Sequence, residues 1–332
     1  YEVGSSPHKI GFDLLLFWTV LFSALRRRPD VLHTHMHEGA LIGLVVGRLL
    51  GIPVVLDFQG SLTAEMVDHK FLNPQSVFYR PLRWLEKTID QKVSAILTSS
   101  HNAKRLLLND FGCHPANVHT VPDCVNTEKF YPAHEGEQAA LAERKSALGI
   151  TTGRRVVAYL GLLADYQGTD VLLQAAVHLV QQRENVHFLI MGFPAVEEYR
   201  QKAIQLGLES HVTFTGKIPY YQAREFLAVG DIAVAPKLSA TEGSGKILNY
   251  MAMGLPTVAF DMPVSREYLG DLGIYAEPAD PLSLAQALDQ GLFSNEHGST
   301  GTELREVARE RYSWNHAADR ILQTYRTVCQ RE

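Results

Sequence analysis

Ala240-Thr241-Glu242-Gly243-Ser244-Gly245-Lys246-Ile247-Leu248-Asn249-Tyr250-Met251-Ala252-Met253-Gly254-Leu255-Pro256 decides how the chain is read. Two glycines free the backbone just before a stretch with helical spacing, and Gly254-Leu255-Pro256 stops it. Free N–H groups at such a helix start, together with the helix dipole, make an anion site. Lys246 adds a point charge, Glu242 stands at the mouth and Asn249 offers an amide. Helical spacing puts Lys246, Asn249 and Met253 on one side and leaves Ile247, Leu248 and Met251 for a core. Backbone donors, a cation, a carboxylate and an amide together suit a sugar diphosphate. Spacing alone fits a plain glycine-bearing strand-to-helix loop equally well.

Outward from this stretch, short apolar strands alternate with helices, the pattern of βαβ units and parallel sheets. Upstream, strands are expected at 156–160, 187–191, 212–215 and 232–235, with the turn 161–168 and helices at 169–182, 195–206 and 221–229 between them. Downstream come strands 257–260 and 274–276 and helices 281–293, 302–310 and 314–329. The first part of the chain repeats the alternation: helix 10–28, strand 30–35, helix 39–50, strand 54–58, helix 78–92, strand 95–99, helix 101–109 capped by Ser100, and strand 118–121. Residues 133–150 are polar and helical and read as a linker and entry helix. Residues 1–132 thus form one domain, 151–313 a second, and 314–332 a last helix expected to return to the first. Four strands are few for a doubly wound domain, which opens on a buried strand and a glycine-rich turn. The first domain therefore reads as short of its opening strands.

Bulk properties agree with two soluble globular domains: 332 residues, 46% hydrophobic and 20% charged. Net charge is −5, which gives nucleic-acid binding no electrostatic support. Residues 1–132 carry 13 basic and 12 acidic side chains, and 133–332 carry 18 and 24, so the first half better suits an anionic partner. Cys113, Cys124 and Cys329 have no metal or disulfide spacing and fit a reducing compartment. The apolar run 10–25 contains Asp13, ends in Arg26-Arg27-Arg28 and is too short to span a bilayer. It reads first as a buried helix with a basic end, and second as an interfacial membrane helix.

The opening stretch resembles the donor-binding signature of the family 4 retaining glycosyltransferases, a Glu-Gly-Phe-Gly turn followed by Leu-Leu-Glu-Ala-Met-Ala-x-Gly-x-Pro. Glu242-Gly243-Ser244-Gly245 stands at the turn and Ile247-Leu248 at the two leucines. Asn249 replaces the helix glutamate. Lys246 with Tyr250-Met251-Ala252 resembles a variant of that helix. Other stretches resemble the family in order: 156–168 the first strand and glycine turn of its second domain, 212–219 its base-binding strand end, 231–236 the strand before the donor turn, 29–35 a strand of its first domain, and 121–132 its interdomain junction. The resemblance implies the GT-B fold, two Rossmann-like domains with parallel sheets facing a cleft. It implies transfer of a hexosyl group, with retention and without a metal or cofactor, from a UDP- or GDP-linked sugar to a glycan or lipid-linked acceptor. Glu242 would be the catalytic residue. Gly161, Gln167, Lys217, Ile218, Gly243, Ser244, Gly245, Lys246 and Asn249 would bind the donor. His35, His37, Glu38, Gln59 and Gly60 would line the acceptor side of the cleft. A cytoplasmic place follows, with peripheral contact at the inner membrane face and no nucleic-acid partner.

Four positions depart from the family. Leu162 and Gln167 stand where it has two phosphate-clamping cations, Asn249 where it has a ribose-binding glutamate, and Gln59 where it has a histidine. Lys246 can restore one cation. One reading is a subgroup in which Leu162, Tyr166, Gln167, Lys246 and Asn249 work as a set. The alternative is a catalytically impaired binding or scaffold protein of polysaccharide assembly. A GT-B epimerase is a third. His33-Thr34-His35-Met36-His37 also resembles a metal site, because alternate strand residues face one way. That reading wants further ligands at later strand ends, where only His101, Asp123 and Asp261 lie, and it is set below the cleft reading. Tyr159, Tyr166, Tyr220 and Tyr221 could stack on a base or sugar, with packing favoured at all but Tyr166. Asp57 reads as catalytic or as a turn cap.

Overall fold

A computed structural model describes residues 8–68, 71–239, 243–294 and 300–330, with side chains from residue 11 onward. The first elements are α1 (His8–Arg27), β1 (Leu32–His35), α2 (Met36–Leu50), β2 (Val54–Phe58), α3 (Leu62–Asp68), α4 (Tyr79–Lys92), β3 (Ala95–Thr98), α5 (His101–Asn109) and β4 (Val118–Thr120). Next come α6 (Gln138–Ala147), β5 (Arg155–Leu162), α7 (Thr169–Gln182), β6 (Val186–Phe193), α8 (Val196–Gln205), β7 (Val212–Phe214), α9 (Ala223–Leu227) and β8 (Ile232–Ala235). The chain continues through α10 (Gly245–Ala252), β9 (Thr257–Phe260), α11 (Pro263–Leu269), β10 (Ile274–Ala276), α12 (Pro281–Phe293), α13 (Thr300–Arg311) and α14 (Trp314–Cys329). All ten expected strands form. The short helices α3 and α11, too brief for a period to show, were not expected.

Two compact units result. The first takes residues up to Pro122, Gly243 and residues from Asn315; the second takes the rest. The boundary falls earlier than the expected 132. Val125 N–H donates to Tyr312 O, and Val125, Phe130 and Ile150 lie in the core of the second unit. The supposed linker 133–150 also packs there, through Leu141 and Leu148.

The first unit holds a parallel sheet ordered β1-β2-β3-β4. β2 and β3 are apolar along nearly their whole length because both faces are covered. Leu56, Phe58 and Ile96 pack on Ala40 of α2, Ile89 of α4 and Leu107 of α5. Val55, Ala95 and Leu97 pack on Val328 of α14. The expected burial of α1 does not hold: Phe12 is 68% exposed, Trp18 52% and Phe22 63%. Among the described residues no helix is long and apolar enough to cross a membrane.

The second unit holds six parallel strands ordered β10-β9-β8-β5-β6-β7. On β5, Val157 and Tyr159 face α7 and α12, while Val156 and Ala158 face α9, α10 and α13. Strand order reverses between β5 and β8. In such sheets ligands bind outside the carboxyl ends of the strands at that switch point.

Candidate functional site

Both loops at the switch point are pinned to one another. After β5 the chain makes a tight turn, Asp165–Gln167, ending at Gly168 with φ +74°. A Cβ at Gly168 would lie 1.9 Å from Pro236 O, so only glycine lets this turn meet the end of β8. Leu238 N–H donates to Tyr166 O at 2.9 Å.

Helix α10 starts beside this turn. Lys246 Nζ donates to Gln167 Oε1 at 2.7 Å and to the Tyr159 hydroxyl at 3.4 Å, and it lies 4.5 Å from the Tyr159 ring centroid. A Cβ at Gly161 would lie 2.6 Å from that Nζ, so the glycine at the end of β5 leaves room for the ammonium. Gln167 is only 7% exposed. Ser244 precedes the helix, and its buried hydroxyl finds no hydrogen-bond partner among the described residues. Gly161, Gln167, Ser244, Gly245 and Lys246 thus share one place. At that place lie a helix N-terminus and a cation, which draw an anion, and the buried Ser244 hydroxyl.

Tyr250 and Arg305 hold the helix there, a role that no sequence motif signals. The buried Tyr250 hydroxyl accepts from Leu160 N–H at 2.8 Å, tying α10 to β5. Burial pushes this phenol far above its usual pKa, so it stays a neutral hydroxyl. At the other end Arg305 donates to Ala252 O, and also to Phe130 O at 2.9 Å and Thr127 O at 3.2 Å. A tyrosine in mid-helix and an arginine in a late helix signal nothing until the helices are docked.

Other expected donor residues scatter. Asn249 is buried, and its Oδ1 accepts from the Tyr220 hydroxyl at 3.0 Å. Met253 does not share an open side with Lys246 but lies in the core, 2% exposed, because α10 is covered almost all round. Ile218 is half-buried against that core, while Lys217 is exposed, 4.8 Å above the Phe193 ring. Tyr159 is packed within the sheet, and Tyr220 and Tyr221 are exposed. Gly243 belongs to the first unit. Glu242 lies outside the described residues.

In the first unit the histidine run divides. His35 Nδ1 sits 2.9 Å from Asp57 Oδ2, its neighbour in register on β2. His33 stacks on His35, with ring centroids 4.9 Å apart, and its Nδ1 meets the Tyr325 hydroxyl of α14. His37 lines no open face. It is 3% exposed, with Nε2 3.2 Å from Asp90 Oδ1 and 3.9 Å from Glu86 Oε1. Strand alternation stops at His35, because Met36 takes φ +60° and α2 begins. Glu38 and Gly39 follow on that helix. Gln59 is exposed and Gly60 buried just after β2. Beside them Ser61 Oγ donates to Glu86 Oε1 at 2.7 Å, so the buried Glu86 anchors this turn.

Residues 1–129 match the family described as Glycosyltransferase Family 4, and residues 154–293 match Glycosyl transferases group 1. Together with the curated relatives, the two matches support a family 4 glycosyltransferase. Among curated relatives, a D-inositol 3-phosphate glycosyltransferase of Corynebacterium urealyticum is 28% identical, over 66% of this chain and 53% of its own length. The alpha-maltose-1-phosphate synthase of Mycolicibacterium smegmatis is 27% identical, over 90% of this chain and 79% of its own. A sucrose-phosphate synthase of Thermosynechococcus elongatus superposes with a TM-score of 0.81 at 17% identity, covering 100% of this chain and 82% of that one. Anabaena HepE in complex with UDP superposes with a TM-score of 0.79 at 15% identity, covering 94% and 82%. Such likenesses show the fold of this chain, which is GT-B.

Proposed function

We propose that this glycosyltransferase moves a hexosyl group, with retention, from a UDP- or GDP-linked sugar to a glycan or lipid-linked acceptor. One observation carries the reading. The Lys246 ammonium is lodged against Gln167 and Gly161 at the start of α10, on the switch point of the second sheet. Gln167 stands where the family resemblance places a phosphate-clamping cation. Lys246 reaches that position from α10 and supplies the charge.

The leaving diphosphate takes most of the charge that develops as the glycosidic bond breaks. The N–H groups of α10, the Ser244 hydroxyl and Lys246 would stabilise it, at a few kcal/mol per preorganised donor. Nothing in this arrangement calls for a metal ion at the diphosphate. Glu242 would hydrogen-bond the donor sugar, and the acceptor hydroxyl would attack from the leaving-group side. His35, Glu38, Gln59 and Gly60 are the acceptor-side candidates. The exposed Phe12, Trp18 and Phe22 of α1, followed by Arg26-Arg27-Arg28, support an acceptor presented at an anionic membrane surface.

The test is calorimetric titration with UDP, GDP, ADP and the free nucleosides, followed by turnover with the matching sugar nucleotide. Lys246→Ala should weaken the preferred diphosphate by about 1.5–3 kcal/mol, the worth of a hydrogen bond to a charged group, and leave nucleoside affinity unchanged. Equal losses for both would remove Lys246 from the phosphates. Tight binding without turnover on any acceptor would favour a scaffold protein instead.

A further inference from the structure

We propose that the carboxyl ends of β1 and β2 form a binding site for a divalent transition-metal ion, ligated by His33, His35 and Asp57, with the Tyr325 hydroxyl as an outer partner. The proposal rests on the geometry of the first unit and is independent of the donor-site reading.

Three features of the fold bring the ligands together. His33 and His35 are two residues apart on β1, so their side chains leave the same face. The parallel register sets Asp57 directly beside His35. The two imidazole planes lie within 17° of parallel at 4.9 Å, stacked one above the other. One ring nitrogen from each histidine and one Asp57 oxygen all lie within 4.8 Å of one another. An ion at about 2.0–2.2 Å from each ligand holds its ligand atoms roughly 3–4 Å apart, so side-chain rotation alone can close the set.

The surroundings also fit. The hydrogen bond between His33 Nδ1 and the Tyr325 hydroxyl fixes the ring orientation, as outer partners do for ligating imidazoles. His33 Nε2 is buried and finds no hydrogen-bond partner among the described residues, so the ring has capacity left. The His35 side chain is 63% exposed, which gives an ion a way in. Two imidazoles and one carboxylate select zinc, cobalt or nickel over magnesium or calcium. Three protein ligands leave a coordination position for water or a hydroxyl oxygen. His37, Glu86 and Asp90 also cluster, but that set is sealed, and Glu86 already accepts from Ser61 and Thr63 and pairs with Arg83.

Chelator-treated full-length chain should be titrated with zinc by calorimetry and with cobalt by visible and electron-spin spectroscopy. One saturable ion per chain, with nitrogen couplings from two imidazoles on cobalt, is the expected result. His35→Ala and Asp57→Ala should each abolish that event. Tyr325→Phe should weaken it by about tenfold, the usual cost of a lost outer partner. The exposed His114→Ala should leave it unchanged. Circular dichroism identifies any variant that fails to fold, and the wild-type cobalt spectrum decides the matter without variants. Absence of one-to-one binding by the wild type, or binding that persists in folded His35→Ala, overturns the proposal.

Discussion

His37 in the first unit and His187 in the second are both buried, 3% and 2% exposed, yet their pKa values move in opposite directions. Burial opposes the charged form of each. Around His37 the carboxylates of Asp90, Glu86 and Glu38 outweigh burial, and the pKa is raised. At His187 burial is joined by Arg154 and His211, which also disfavour the charged ring, and the pKa falls to about 4. Hydrogen bonding agrees. Thr213 gives its hydroxyl proton to Leu148 O and so accepts from His187 Nε2 at 2.9 Å, while Arg154 Nη1 lies 3.2 Å from His187 Nδ1. That pattern suits a neutral ring with one donor and one acceptor. The two units thus bury the same side chain for different ends: the first closes a charged network around it, and the second keeps it as a neutral strut between β6 and β7. What faces an imidazole decides its charge; depth alone does not.

The largest effect should come from breaking the charged network. Glu86 accepts from the buried Ser61 and Thr63 and from the partly exposed Arg83 Nη1, and is itself fully buried. Glu86→Ala should cost about 3–5 kcal/mol in urea unfolding, because the remaining buried charges lose their counterpart. A loss below about 1 kcal/mol would mean that water replaces the carboxylate, and the contrast between the units would fail.

Second is the acid limb of stability. The folded pKa of His187, about 4, lies below the unfolded value of 6.5, so the unfolded chain takes up the proton first as pH falls. The contribution is complete above pH 6.5 and is lost as pH drops through 4. It amounts to on the order of 3 kcal/mol. Unfolding free energies at pH 7 and pH 4.5 should show this slope in the wild type and a flatter one in His187→Gln. Equal slopes would transfer the acid sensitivity to other groups.

A smaller effect of opposite sign belongs to His37. Its folded pKa is raised, so its contribution is complete below pH 6.5 and fades as pH rises through the folded value. His37→Gln should remove a decline in stability on the alkaline side of pH 6.5 and leave the acid side alone. The smallest change is expected from Arg154→Met. Because burial is the leading cause at His187, removing the guanidinium should recover only the lesser part of its shift in an NMR titration. Full recovery would reverse the ranking of causes.

The architecture was largely legible in the sequence because it is periodic. Apolar strands at regular intervals and glycine-bearing turns specify parallel sheets, and all ten strands formed where the pattern placed them. The proposed donor side was legible only in its geometry. Gly161, Gln167, Ser244, Gly245 and Lys246 come together, but the depth of Asn249 and Met253 was not visible, since a helical wheel shows faces and not how many of them are covered. On the proposed acceptor side the alternation from His33 to His37 misled, because one residue with positive φ ended the strand before the pattern did.

The sequence by itself determined which segments are strands and helices, and it placed a cation and two glycines at the start of one helix. Those are local consequences of period, backbone freedom and charge. Only the tertiary structure decided the partners. Tyr250 ties α10 to β5 across ninety positions of sequence. Register across β1 and β2 brings Asp57 to His35, and α14 brings Tyr325 to His33. Side-chain charge and hydrogen bonding depend on neighbours within a few ångströms, and in a doubly wound sheet those neighbours come from strands and helices far apart in the chain.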